Sequence, residues 1–247
     1  LQIKSPYEGI RLHGFQIMPD SSAIVADGEV AWSAFKSTKK AFDPQEARQP
    51  FSSANVSRIN KAILDYAFAH EAFPMAATVA NADEPARSWR VELLPYLGHS
   101  DLYEQYRKME PWDSAHNRQL LNQMPAVYRH PSDVEESTKS SYFVITAANG
   151  LFNESAPVRI DQILDGFTNT LSIIETNRNV EWMKPEDVPL QDAIDNGLKE
   201  FYDEILVIGL ADGAYASLST EIAADELRAL VSIDGNDAVQ ENVIRRW

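Results

Sequence analysis

Residues 205–210 read Ile-Leu-Val-Ile-Gly-Leu, and this run constrains the fold more than any other stretch of the chain. A half-exposed strand alternates apolar and polar residues, whereas a run without alternation needs cover on both faces. The spacing therefore predicts a central strand. Asp212-Gly213 follows as a hairpin turn, with Tyr215 to Leu218 returning beside the strand. A two-residue type I′ turn would place both Asp212 and Gly213 at positive φ. Tyr202, just upstream, is expected to pack there with its hydroxyl bonded near the turn.

Covering a central strand takes a real core, and 247 residues with 44% hydrophobic content are enough for one. The cover on one side is legible earlier in the chain. Val56, Ile59, Ile63, Tyr66 and His70 recur at helical spacing, which predicts a helix over about 53–70. Ser52 and Ser53 are placed to cap it, and Phe73-Pro74 to end it. Ile59, Ile63 and Tyr66 are expected to pack on the late strands. Trp89, Leu93 and Leu97 suggest more helix, restarting at Pro95. Ser114 is placed to cap a short helix bearing Leu120, Leu121 and Met124. Strand-forming runs follow at Ser141–Thr146 and Thr170–Glu175, and a helix closes the series over 221–231. Helices first and hairpin-linked strands later mean α+β rather than alternating βαβ. Residues 1–50 read as a separate extension, partly a β-hairpin at Ile24–Ala31 with an Asp27-Gly28 turn. Residues 51–247 read as the α+β domain.

Composition excludes several functions. The formal net charge is -15, and the basic residues form only pairs such as Lys39-Lys40 and Arg245-Arg246, so no face suits nucleic acid. There is no cysteine, hence no disulfide, thiolate zinc site or Cys nucleophile. No run approaches the roughly 20 apolar residues of a membrane span. Leu1 opens directly onto polar sequence, so a processed or trimmed start is expected, with an upstream anchoring helix left open.

Several segments, in order, resemble one family. They are Leu64-Asp65-Tyr66-Ala67-Phe68-Ala69-His70-Glu71-Ala72-Phe73-Pro74, Ser88-Trp89-Arg90-Val91-Glu92-Leu93-Leu94-Pro95-Tyr96-Leu97 and Glu110-Pro111-Trp112-Asp113-Ser114-Ala115-His116-Asn117-Arg118. Asp165-Gly166-Phe167-Thr168-Asn169-Thr170 and Leu210-Ala211-Asp212-Gly213 complete the series. Over about residues 52–235 the chain resembles the large planctomycete group of prepilin-type processing-associated H-X9-DG proteins, whose function is unknown. The resemblance implies export and a pilin-like fold, in which an N-terminal helix packs on an antiparallel sheet with additional short helices. Its motif positions fall here on Trp89, Pro95, Trp112, Asp113, Asn117, Asp165, Gly166, Asn169, Tyr202, Asp212 and Gly213. The chain departs from the pattern in three places: Tyr202 stands for the motif histidine, and His130 and Ser52 for two cysteines.

Candidate chemistry is sparse. The five histidines, His13, His70, His99, His116 and His130, include no pair at His-x-x-x-His spacing, so surface or hydrogen-bonded roles are favoured over zinc. No G-x-S-x-G elbow accompanies the serines. Asp165, Asn169 and Asp212 supply the loop oxygens that calcium prefers, although both Asp-Gly pairs are also plain turn formers. Trp89, Trp112 and Trp182 are more readily core residues than sugar platforms. The resulting expectation is a non-enzymatic, extracytoplasmic pseudopilin-like domain with no cofactor other than calcium. Its partners would be proteins or an extracellular ligand, in assembly or surface interaction. The alternatives are a secreted solute- or glycan-binding module and a hydrolase without a recognisable motif.

Overall fold

The computed structural model describes residues 3–4, 11–12, 15–17, 24–26, 49–79, 84–133, 136–153, 155–202, 204–235 and 244–246. The chain divides into two compact units, Leu1–Pro44 and Gln45–Trp247. In the first, β1 (Ile3–Lys4) pairs antiparallel with β2 (Arg11–Leu12), and β3 (Phe15–Ile17) with β4 (Ile24–Ala26). The strand expected at Ile24 is therefore present, but its partner precedes it in sequence. The rest of the hairpin expected there, residues 27–31, lies outside the described residues.

The second unit begins with α1 (Gln49–His70). Pro50 sits in its first turn, where a missing N–H costs nothing. The helix stops where Glu71 turns left-handed at φ 58, the usual way of ending a helix with its last carbonyls satisfied. It starts about a turn earlier than the serine caps implied. Ser52 lies inside the helix, fully buried, and its hydroxyl bonds to Tyr202 instead of capping.

Five strands form the main sheet: β7 (Lys139–Phe143), β9 (Leu171–Glu181), β11 (Ile205–Leu210), β12 (Tyr215–Ser219) and β13 (Ile244–Arg246). Their order is β13-β12-β11-β9-β7, antiparallel throughout. The fold class is α+β. β11 is central, as its unbroken apolar run requires. Leu206, Ile208 and Leu210 join one buried cluster with Leu227 and Leu230 of α5 (Ala224–Val231). Val207 joins the other, with Ile59 and Ile63 of α1. Each of those two isoleucines is completely buried, and full burial of such a side chain stabilises by about 1.5–3 kcal/mol. Tyr66 is half-buried against the same cluster, stacked on His70 and edge-on to Tyr96. With His70 and Tyr96 it forms an aromatic trio at the end of the helix.

Gly209 explains how close α1 comes to the sheet. A Cβ there would lie 2.6 Å from the Cγ2 of Ile173 and 2.9 Å from the Nδ2 of Asn60. In that space the Asn60 amide donates to the carbonyls of Leu210 (2.7 Å) and Ala214 (3.0 Å), and its oxygen accepts from the Ser172 hydroxyl. The helix thus fastens the mouth of the β11–β12 hairpin.

The hairpin loop is not the type I′ turn expected. The N–H of Gly213 donates to the carbonyl of Leu210, and that of Leu210 to the carbonyl of Ala214. Of the loop residues 211–213, Gly213 alone has positive φ, at +92°. This is the three-residue loop in which a type I turn ends in a left-handed glycine. Asp212 is free to keep negative φ and to bond forward to the N–H of Ala214 at 2.9 Å. The shorter elements include β5 (Ala77–Thr78) with β6 (Arg87–Ser88), and β8 (Ile145–Thr146) parallel to β10 (Val188–Pro189). The remaining helices are α2 (Trp89–Glu92), α3 (Ser100–Gln105) and α4 (Leu190–Asn196). No helix among the described residues is long and apolar enough to cross a membrane.

Candidate functional site

Two buried polar clusters lie on either side of Tyr142 in β7. The first is built on Arg90, which α2 carries into the interior with no exposed surface. Its guanidinium meets the Asp187 carboxylate at 2.8 Å and donates to the Tyr142 carbonyl from both Nε (3.0 Å) and Nη2 (2.9 Å). The hydroxyls of Ser88 and Ser140 accept its remaining bonds. Asp187 in turn accepts from the Trp89 indole, 3.1 Å from each oxygen, and from the Val144 N–H at 3.0 Å. The Arg90 cation also lies 4.6 Å and 4.7 Å from the ring centroids of Trp89 and Phe143. A buried cation is tolerated only when paired and fully bonded, and this one is both.

The second cluster gathers around Glu175 in β9. The Tyr142 hydroxyl donates to its Oε1 at 2.8 Å and accepts from the Asn55 amide at 3.2 Å. His130 Nε2 stands 4.0 Å from the same carboxylate and 3.2 Å from the Tyr202 hydroxyl. That hydroxyl shares a hydrogen bond of 2.7 Å with Ser52. On its far side, His130 Nδ1 meets the Ser132 hydroxyl at 2.6 Å, and the imidazole stacks on Phe201, with ring centroids 3.9 Å apart. Glu175 Oε2 is buried without a hydrogen-bond partner. Burial pushes its carboxyl up to about 7; the Ser52 and Tyr142 hydroxyls pull against that rise and Asp133 adds to it. The Ser52 hydroxyl is shared between this carboxyl and the Tyr202 hydroxyl, 2.7 Å from the latter. Burial also raises the Tyr142 phenol far above its usual range.

Ser52, His130 and Tyr202 are the three positions singled out in the sequence as departures from the resembled pattern, and here they touch. The Tyr202 hydroxyl is spent in this cluster and not at the hairpin turn, which corrects the sequence expectation. Serine, histidine and carboxylate together bring a hydrolase to mind. Their solvent exposures are only 0%, 3% and 1%, so no substrate atom reaches them in this conformation. What the arrangement can do is hold a proton away from water.

The other expected site residues serve turns and packing. The turn at 165–170 lies against the 211–213 loop: the Asp212 N–H donates to the Phe167 carbonyl and the Ala211 N–H to the Thr170 carbonyl. Asp165 accepts from the Gly235 N–H at 2.8 Å, and the Asn169 amide donates to the Asp165 carbonyl at 3.2 Å. Asp212 thus closes its own turn through the Ala214 N–H, whereas Asp165 ties its turn to the segment at Gly235. Gly166 is left-handed at φ +87°. Among the described residues no group of three His, Asp or Glu side chains is placed to hold a metal. Asn117 is buried and closes the 107–111 loop through the carbonyls of Arg107, Glu110 and Pro111. Pro95 opens a 3-10 turn, Trp112 packs half-buried on the core and Asp113 is exposed.

A surface groove of about 510 Å³ runs past Asn177, Arg178, Glu186, Asp192, Asn196 and Lys199. Trp89 and Trp182 are instead fully buried. Glu175 and Asp187, which organise the two clusters, were not among the residues expected from sequence. No curated protein and no solved structure matches the chain. Residues 45–148, which carry Ser52, Asn60, Arg90, His130 and Tyr142, match the model of the family described as "Protein of unknown function (DUF1559)", and over that span the chain is similar to a family whose function is not known.

Proposed function

We propose that this chain is a non-enzymatic, extracytoplasmic, pseudopilin-like module that takes part in assembly or surface interaction. The observation that carries the reading is α1 laid along an antiparallel sheet, with Ile59 and Ile63 buried beneath it and Asn60 fastening the hairpin. The outer side of this helix presents Phe51 and Phe68 at its two ends, respectively 53% and 70% exposed. Burial of Ser52, His130 and Glu175 weighs against the hydrolase reading. A glycan guest would ask for an aromatic wall, and Trp89 and Trp182 are committed to the core.

The absence of cysteine makes a direct test available. Phe68→Cys introduces a single thiol on an exposed helix position. In intact cells of the native host, a membrane-impermeant maleimide should label it, and a bis-maleimide should link it to a neighbouring protein. Labelling only after lysis would remove the extracytoplasmic reading. Efficient labelling with no cross-linked species would remove the assembly reading.

A further inference from the structure

The Glu175 cluster contains a buried carboxylic acid with no Lys or Arg ion pair among the described residues. Among the described residues, the basic nitrogen within 4.0 Å of Glu175 is His130 Nε2, at the limit of that distance. The surrounding elements offer little else. From α1 come Ser52 and Asn55, which do not ionise. The turn after the 3-10 segment Ala126–Tyr128 supplies His130 and Asp133, and the Asp133 carboxylate accepts from the Ser141 hydroxyl. β7 supplies Tyr142, and the segment before β11 supplies Tyr202. The nearby Arg129 guanidinium donates to the Ser137 carbonyl. Four separate pieces of chain therefore converge on one acid, and hydrogen bonds hold them there.

We infer that this cluster is a proton-linked clasp: with the Glu175 carboxyl protonated it ties the start of α1 and the Phe201–Tyr202 segment to β7 and β9, and loss of that proton loosens them. The electrostatic reason is plain. A neutral acid accepts from Tyr142 through one oxygen and tolerates burial of the other. A bare carboxylate in the same place has one oxygen without a donor and no cation to balance it. The folded-state pKa, raised to about 7, lies above the value of an unfolded Glu, so the folded chain binds more protons. Its stabilising contribution is fully present below the unfolded pKa and is lost as pH rises through about 7. The clasp is closed in mild acid and strained in mild base.

Glu175→Gln keeps the shape and fixes the neutral state. Urea unfolding of both proteins across pH 5 to 8 gives the ratio of their folding equilibrium constants. That ratio, wild type over variant, should fall with rising pH on the order of fiftyfold, since each pKa unit is a factor of ten. Backbone hydrogen exchange, compared at the same pH so that intrinsic rates cancel, should be faster in the wild type at pH 8. The acceleration should be confined to the start of α1 and the Phe201–Tyr202 segment, and absent at pH 5. A ratio that does not change with pH would overturn the proposal, as would acceleration spread evenly over the sheet. Should the variant not fold, carbon-13 titration of the Glu175 carboxyl in the wild type decides the matter. A midpoint near neutrality is expected, and one in the ordinary carboxylate range overturns it.

Discussion

The Arg90 and Glu175 clusters are equally deep, and both are bonded to the same residue: one to the carbonyl of Tyr142, the other to its hydroxyl. Their chemistry is opposite. Around Arg90, the cation, its counterion and nearly every donor are matched, and the fully buried Trp89 and Val144 complete the shell. Around Glu175, among the described residues, one carboxylate oxygen has no hydrogen-bond partner and the basic nitrogen within 4.0 Å belongs to an imidazole. Burial alone therefore says little about a polar cluster. The matched one costs much to break, and although burial raises its Asp187 carboxyl too, Arg90 and three hydrogen-bond donors pull against that rise. The unmatched one is cheap to perturb and holds its proton near neutrality.

The largest effect should come from unbalancing the matched cluster. Asp187→Ala leaves Arg90 as an uncompensated cation at zero exposure, and strips the Trp89 indole of its acceptor. A loss of about 3–5 kcal/mol is expected from urea unfolding. Adding Arg90→Met to it should return part of that loss, because the stranded charge goes too. If Asp187→Ala cost no more than a surface change, the two clusters would not differ as described.

The sequence revealed one side of this comparison better than the other. Ile59 and Ile63 were legible because a helical stripe repeats locally, and β11 because an apolar run without alternation needs two covered faces. Arg90 stood inside a recognisable segment, yet its partner Asp187 is 97 residues away. Ser52, His130 and Tyr202 each stood out singly, but the bonds joining them span 150 and 72 residues. Glu175 closes a strand-forming run and looks like an ordinary solvent-facing end. Local periodicity reports which face of an element is buried. It does not report which distant polar atoms meet there, and that pairing makes the candidate site.

A smaller change sharpens the contrast within one residue. Tyr142→Phe removes the hydroxyl that serves Glu175 and Asn55, but leaves the carbonyl that serves Arg90. A loss of about 1–3 kcal/mol is expected, since a buried acceptor loses its donor. The near-ultraviolet circular dichroism of the buried tryptophans should stay as in the wild type, because the Arg90 side is intact. The pH response should move as well. The Tyr142 hydrogen bond lowers the Glu175 pKa, so removing it raises the folded-state value further. Stability held below the unfolded pKa is then lost only at higher pH, and the midpoint of the loss shifts upward. A downward shift would mean that Tyr142 does not serve the charged form.

The smallest effect is expected at Tyr202. Its hydroxyl joins Ser52 at 2.7 Å and His130 at 3.2 Å, but it does not touch the Glu175 carboxylate in the hydrogen-bond network. Tyr202→Phe keeps the buried ring in place, and the ring still faces His130 with centroids 5.6 Å apart. Ser52 and His130 lose one bond each. The Ser52 hydroxyl lies close enough to Glu175 to lower its pKa, so it is placed to turn toward the unpartnered Oε2. His130 keeps its Nδ1 bond to Ser132. Because a hydroxyl released from one bond gains another, the net cost should be about 1 kcal/mol, near the value of a single neutral hydrogen bond. The same turn of Ser52 should stabilise the charged carboxylate and pull the midpoint of the pH response downward, opposite to Tyr142→Phe. Measuring urea midpoints for both variants over the same pH range separates the two roles. If Tyr202→Phe instead shifted the response upward, Tyr202 would be the group that holds the clasp and Ser52 only its neighbour.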